Sequence, residues 1–308
     1  MTTPSTFGGP GFRPRTGTHD GDLGRHWSAC GVSNDGEALR AVLLHTPGEE
    51  LRYDEPPDAW LMLERPDLDT ISRQADAIAA FYERRGVTVQ RHTPARPTPP
   101  NTLFMRDLFT MTPHGAVLSR MGSEQRAGEE RQVAATLASR GIPLIAAPLG
   151  AACLEGADAL WLDQETLLVG LNRRTNAGGL DTLARVLPEV HISPVPLPSL
   201  TQHLLGVLNF LGPRHVAVWI GRTPPSLIQS LSAQGVKILA LPDSPELSAG
   251  RAMNWVCLGP GEVVMPAGCP DTRQRLLAAG IGVHELEVSE YRKAGGALGC
   301  LTGILARG

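Results

Sequence analysis

Four segments hold residues whose types could do chemistry. Cys300 follows a run of small residues that includes Gly295, Gly296 and Gly299, just before the apolar stretch LTGIL at 301–305. Glycines beside a thiol let a flat substrate lie against the backbone within reach of the sulfur, although an isolated cysteine is more often a packing residue. His203 sits in the mostly apolar SLTQHLLGVLNFLG at 199–212, where a lone imidazole is more often a hydrogen-bonded core group than a catalyst. In CLEGADALW at 153–161, Glu155 and Asp158 flank the small pair Gly156–Ala157 with no basic neighbour. Two acids beside a tight turn suit a cationic ligand, or else decorate an exposed loop. In NTLFMRDLF at 101–109, Arg106 and Asp107 form a charge pair inside an apolar, strand-like run. That pair reads as a buried ion pair or as a carboxylate aimed into a cavity.

Taken together, these residue types specify one chemistry. A guanidinium carbon is resonance-stabilised and a poor electrophile, so its attack needs a strong nucleophile, and thiolate is the best side chain for the task. Carboxylates, here Asp107, Glu155 and Asp158, would grip the cation bidentately and fix the plane that the sulfur approaches. A histidine titrating near the working pH would protonate the departing amine and later take a proton from water. The bound cation would itself favour the thiolate of Cys300.

Other chemistries lack support. The sequence contains no GxGxxG after a strand, no GxxxxGK[ST], no HExxH and no GxSxG, which removes the usual signs of nucleotide binding, zinc proteolysis and α/β-hydrolase catalysis. The 308 residues are 42% hydrophobic and 19% charged with a formal net charge of −3, and the basic residues are scattered. Neither nucleic acid nor a membrane surface is an expected partner. No signal peptide and no membrane-length apolar run is visible. The five cysteines, Cys30, Cys153, Cys257, Cys269 and Cys300, are odd in number and widely spaced, which fits free thiols in a cytoplasmic protein better than disulfides or a zinc site.

The elements that must position these residues follow a repeat. A helical stretch ends in glycine and a strand then opens with Val or Ile, at Gly86–Val87, Gly141–Ile142, Gly235–Val236 and Gly280–Ile281, with a degenerate copy at Glu189–Val190. Apolar residues three and four apart give each helix one buried face, and the glycine supplies a left-handed cap. Apolar strands AVLLHTP, AVLSRM, TLLVGLN, HVAVWIG and EVVMPAG lie between these units, with little charge, as strands covered on both faces should be. The junctions at 86, 141, 189, 235 and 280 are 55, 48, 46 and 45 residues apart. Such a period predicts an α/β protein, either a repeat architecture or an open parallel sheet. Residues 1–27, rich in Gly, Pro and Thr, read as a flexible tail, and 28–308 as one domain.

The chain resembles the guanidino-group-modifying enzyme superfamily. LLVGLNRRTNAGG, HLLGVLNFLG, AMNWVCLGPGEVVMPAGCPDTRQRL and VSEYRKAGGALGCLT are similar, in order and spacing, to segments of dimethylarginine dimethylaminohydrolase, and the likeness runs from about residue 38 onward. The resemblance implies a five-bladed α/β propeller, the pentein fold, built of pseudo-symmetric ββαβ repeats. It implies Cys300 as nucleophile, His203 as acid and base, Glu155 as a third catalytic group, Asp107 and Asp158 as guanidinium ligands, and Arg126 and Arg174 as ligands of the substrate carboxylate. It implies no cofactor and no metal, a small guanidino substrate, and it admits a homodimer. Arginine or a methylated arginine would yield citrulline plus ammonia or an amine, with amidino transfer to an amine acceptor, or ligand binding without turnover, as alternatives. Arg106 stands where the dimethylarginine enzymes usually carry an acid, and Leu205 where deiminases usually carry an aspartate, so the guanidino compound is left open.

Overall fold

The computed structural model describes residues 3–95 and 97–308; residues 1 and 2 of the expected tail and Arg96 lie outside the described set. The periodic pattern resolves into five separate three-stranded sheets rather than one open sheet. In each, a first strand runs antiparallel to a middle strand, a helix crosses over, and a third strand returns parallel to the middle one. The first sheet takes β1 (Leu39–His45), α1 (Leu68–Arg84) and β2 (Thr88–His92). The second has β3 (Phe109–Thr112), β4 (Gly115–Leu118), α2 (Glu129–Ser139) and β5 (Leu144–Ala146). The third has β6 (Ala159–Asp163), β7 (Thr166–Leu171), α3 (Ala177–Val186) and β8 (His191–Pro196). The fourth has β9 (Leu208–Gly212), β10 (His215–Trp219), α4 (Pro225–Ala233) and β11 (Lys237–Leu241). The short α5 (Pro245–Ser248) leads to the fifth, with β12 (Val256–Gly259), β13 (Glu262–Pro266), α6 (Pro270–Ala278) and β14 (Gly282–Leu286). After α7 (Ser289–Lys293) and α8 (Leu298–Leu301), β15 (Gly303–Arg307) pairs antiparallel with β1 and completes the first sheet.

Local chemistry explains the units. Asp67 caps α1 by accepting from the Thr70 backbone N–H, and Asn176 caps α3 at Gly179, while Pro225 and Pro270 open α4 and α6 where a missing N–H costs nothing. Gly86, Gly141, Gly235 and Gly280 follow the helices at φ of 76°, 72°, 74° and 80°, a region closed to most side chains. The five apolar strands read from sequence are the five middle strands. They and the first strands are largely buried, while the third strands face half outward, as in β8 and β14.

Two hydrophobic clusters share the sheets. In β6 and β7, Trp161, Leu167 and Val169 enter one cluster and Leu160, Leu162 and Leu168 the other. In β12 and β13, Val256 and Val264 enter the first, and Cys257, Val263 and Met265 the second. The alternation of a strand's side chains thus ties both clusters through the same sheets. Truncating a wholly buried member such as Leu43 to alanine would cost about 2–5 kcal/mol. In the N-terminal segment, the His19 ring hydrogen-bonds the His114 carbonyl, Asp20 meets the His114 ring, and Ser28 bonds to Arg140 and Gly141. No helix among the described residues is long and apolar enough to cross a membrane. All five cysteines are free thiols.

Candidate active site

Each sheet contributes to one place from the loop just ahead of its first strand. Asp107 precedes β3, Glu155 and Asp158 precede β6, His203 precedes β9, Asn254 precedes β12, and Cys300 precedes β15. Sequence reasoning brought all of these forward except Asn254. The sequence also read 101–109 as strand-like. It forms instead two successive 3₁₀ turns, Pro100–Leu103 and Met105–Asp107, before β3 begins. The turn sends its two charges to different partners, which corrects the expected Arg106–Asp107 pair. Arg106 reaches Asp35 at 3.0 Å, and Asp107 Oδ2 meets Arg126 at 2.6 Å.

The acidic turn is buried rather than exposed. A Cβ added at Gly156 would run into the carbonyl oxygens of Arg106 and Phe109. The glycine therefore serves a backbone-on-backbone approach, and that approach sets Glu155 beside Asp107. Glu155 Oε2 lies 2.7 Å from His203 Nε2 and 3.2 Å from Arg174, while Oε1 accepts from the Gly122 N–H at 3.0 Å. Burial works against ionisation of Glu155, but the hydrogen bond and charge of His203 and the charges of Arg126 and Arg174 outweigh it and hold the carboxyl down to about 2.

The second His203 nitrogen, Nδ1, lies 3.9 Å from Asp107 Oδ1. That oxygen is buried and has no hydrogen-bond partner among the described residues. Burial disfavours the imidazolium, yet Asp107, Glu155 and Asp158 together outweigh it and raise the His203 pKa. The Cys300 sulfur accepts from Asn254 Nδ2 at 3.0 Å, and the Cys300 N–H donates to Asn254 Oδ1 at 3.0 Å. Burial, with the nearby charge of Asp107, pushes the thiol up to about 11.

Cys300 and His203 line one cavity of about 180 Å³, with Asn254, Trp219, Arg222, Arg251 and Gly295 also in its wall. Only one of the three expected glycines reaches it. A Cβ at Gly296 would strike the Phe104 ring, and one at Gly299 would press on the Trp255 carbonyl at 3.1 Å. Those two serve packing around the Cys300 loop rather than substrate approach.

Among the described residues, Asp107, Glu155 and His203 are the one group of three that brings ligand-type atoms within 4.8 Å of one another. Glu155 is already committed to His203, Arg174 and Gly122, which leaves the unpartnered Asp107 oxygen as the open acceptor. Such a site suits an N–H-rich organic cation better than a metal that demands several free ligands.

The chain is similar to known proteins over most of its length. The sequence pattern of the arginine deiminase family matches residues 79–193. An uncharacterised protein of Aeropyrum pernix is 30% identical over 220 residues, 70% of this chain and 77% of that protein. The N(G),N(G)-dimethylarginine dimethylaminohydrolase of Pseudomonas aeruginosa is 26% identical over 205 residues, 66% of this chain and 76% of that enzyme. The solved N-terminal domain of ArgZ, a cyanobacterial arginine dihydrolase bound to its substrate, shares the fold with a TM-score of 0.75 at 19% identity, over 87% of this chain and 98% of that domain. The chain belongs to the guanidino-group-modifying enzyme superfamily.

Within that superfamily frame, three expected ligands stand elsewhere than sequence placed them. Arg126 is neither a surface residue nor part of the cavity wall. Its guanidinium is enclosed by Glu129, Asp107 and the Asn101 carbonyl, with Glu155 at 3.7 Å. Burial opposes its charge, but the surrounding carboxylates raise its pKa well beyond the ordinary value. Burial likewise pushes Glu129 up to about 7 despite its two-pronged contact with Arg126. Asp158 is also fully engaged, accepting from Thr175 Oγ1 at 2.7 Å, the Leu204 N–H at 2.9 Å and Asn172 at 3.4 Å. It anchors the turn after His203 rather than facing ligand, and burial lifts its carboxyl to about 6. Arg174 backs Glu155 and is absent from the cavity wall.

Proposed function

We propose that the protein is an amidinohydrolase that cleaves the guanidinium C–N bond of arginine or a methylated arginine. The observation that carries this reading is the unpartnered Asp107 oxygen 3.9 Å from the imidazole of His203, which lines one cavity with Cys300. A guanidinium there would satisfy the oxygen, and its positive charge would favour the thiolate that burial and Asp107 disfavour. The arginine deiminase pattern and the dimethylarginine-hydrolysing relative support the same class of reaction.

The thiolate of Cys300 adds to the guanidinium carbon. The His203 imidazolium, oriented by Glu155 through Nε2, gives a proton from Nδ1 to the departing ammonia or dimethylamine, leaving an S-alkyl thiouronium. Water then donates a proton to the same imidazole as its hydroxide adds to that carbon, the thiolate departs, and the remaining hydroxyl proton passes to the released amine or solvent as citrulline is freed. Asp107 holds the planar cation, and Asn254 steadies the sulfur.

In this reading residues 28–308 form one catalytic domain and the five sheets stand as blades of a propeller around the site. The pairing of β15 with β1, and the side-by-side approach of the first strands β9 with β12 and β15 with β3, support it.

A panel of arginine, methylarginines, agmatine and guanidino acids, scored for ureido product and released amine by mass spectrometry, tests the assignment. One of these guanidines should be hydrolysed without any added amine acceptor. Product formation that strictly requires an added amine would replace hydrolysis with amidino transfer, and full turnover by Cys300→Ser would end the proposal.

A further inference from the structure

Two cations on the cavity wall have no acidic partner among the described residues. No carboxylate lines the cavity, whereas Arg222 and Arg251 both do. The Arg222 guanidinium lies 4.7 Å from the centre of the Trp219 ring and donates one hydrogen bond, at 3.1 Å, to the Leu200 carbonyl. No ion pair engages it among the described residues. The Arg251 side chain makes neither a hydrogen bond nor an ion pair among the described residues, and its charge acts on Cys300 in the direction of the thiolate, though less than burial and Asp107 act against it.

The backbone of Arg251 marks the place as well. It adopts φ 55°, the left-handed region that a residue with a Cβ rarely enters. Its carbonyl accepts from the Asn254 N–H at 2.9 Å, so the same tight turn presents Arg251 to the cavity and carries Asn254 to the sulfur.

The cavity thus has two guanidinium groups on its wall, and behind its wall residue His203 lies the unpartnered Asp107 oxygen, 3.9 Å from Nδ1. Arg126 and Arg174, the arginines suggested by family likeness for a substrate carboxylate, are bound to the protein's own acids. We propose that Arg222 and Arg251 form a carboxylate-binding subsite that selects guanidino acids over guanidines lacking a carboxylate. This inference rests on the reading of the cavity as a guanidinium site. It adds which end of the substrate the wall recognises and which residues recognise it.

Calorimetry on the Cys300→Ser protein separates the two questions, because binding rather than turnover is read. L-Arginine and agmatine differ by one carboxylate, so arginine should bind at least about tenfold more tightly, the scale of a charge-assisted hydrogen bond. Arg222→Gln and Arg251→Gln should each weaken arginine by about tenfold and leave agmatine within about twofold, agmatine serving as the control for an intact fold. Equal affinity for the two ligands, equal loss of both in the variants, or no arginine binding at all would overturn the subsite. Selective arginine binding by a wild-type protein that makes no citrulline would uphold the subsite while refuting hydrolysis. Hydrolysis of arginine and agmatine with equal affinities would do the reverse.

Discussion

The side-chain amide of Asn254 holds Cys300 at both ends, its Nδ2 donating to the sulfur and its Oδ1 accepting the Cys300 N–H, each at 3.0 Å. This clamp spans the loops ahead of β12 and β15 and fixes the nucleophile without supplying charge. Asn254→Ala removes a donor that favours the thiolate and frees the sulfur to turn. A fall in kcat of about 10–100-fold is expected, with Cys300 alkylation shifted to higher pH. A variant whose kcat and alkylation profile match the wild type would show that the clamp is idle.

The thiol itself gives a second prediction. Burial and Asp107 hold its pKa up to about 11, so alkylation of the free protein should be slow at neutral pH and accelerate toward that value. A bound, unreactive guanidinium compound should raise thiolate absorbance at neutral pH, because the cation offsets the Asp107 charge. Absorbance unchanged on binding would contradict substrate-assisted ionisation.

Glu155→Gln should move the alkaline limb of the rate profile. Departure of the amine needs the imidazolium, so the rate falls as pH rises through the His203 pKa. Losing the charge and strong acceptor at 2.7 Å lowers that pKa and shifts the limb to lower pH. Stability carries its own sign. The Glu155 pKa is depressed in the folded protein, so its contribution is present above the unfolded value of about 4.3 and is lost as pH falls toward about 2. The glutamine variant should therefore lose less stability than wild type over that acid window, measured by chemical denaturation.

Arg126→Met should be among the most damaging substitutions. It leaves Asp107, Glu129 and Glu155 buried around a neutral side chain, at a cost of about 3–5 kcal/mol. Because Glu129 is pushed up to about 7, the loss should deepen as pH rises through neutrality. A melting temperature unchanged across pH would show that the arginine is dispensable.

Gly156→Ala tests how the site is assembled. The new methyl would meet the carbonyl oxygens of Arg106 and Phe109, and no rotamer relieves a backbone clash. The turns that carry Glu155 and Asp107 must separate. The loss should exceed about 2 kcal/mol, with kcat falling by about 100-fold. Wild-type kinetics would show that the close approach does not set the catalytic geometry.

The repeat was legible because helix caps and apolar strands are local. Gly86, Gly141, Gly235 and Gly280 announce their φ values in the sequence, and the five apolar segments were all middle strands. Cys300, His203, Glu155 and Asp107 could be chosen by residue type. Their partners could not, since Arg126 meets Asp107 and Glu129 only through three-dimensional approach, and nothing in RMGSEQRAGEE distinguishes a caged arginine from a surface one. Asn254 did leave a trace. Positions 107, 155, 203, 254 and 300 are 48, 48, 51 and 46 residues apart, the same period as the helix–strand junctions. A polar residue inside the apolar AMNWVCL, in phase with the others, marks the fourth of these five positions. Arg222 and Arg251 carried no such mark, because wall residues depend on how the loops fold.

The most direct test of the mechanism is to trap the sulfur–carbon bond. Rapid acid quench of the protein with its hydrolysed guanidine, followed by intact-mass and peptide analysis, should show a mass gain equal to substrate less the departing amine. The modification should map to Cys300 and disappear as citrulline or its analogue accumulates. Ureido product formed at the full rate with Cys300 unmodified at every quench time would contradict covalent catalysis by this residue.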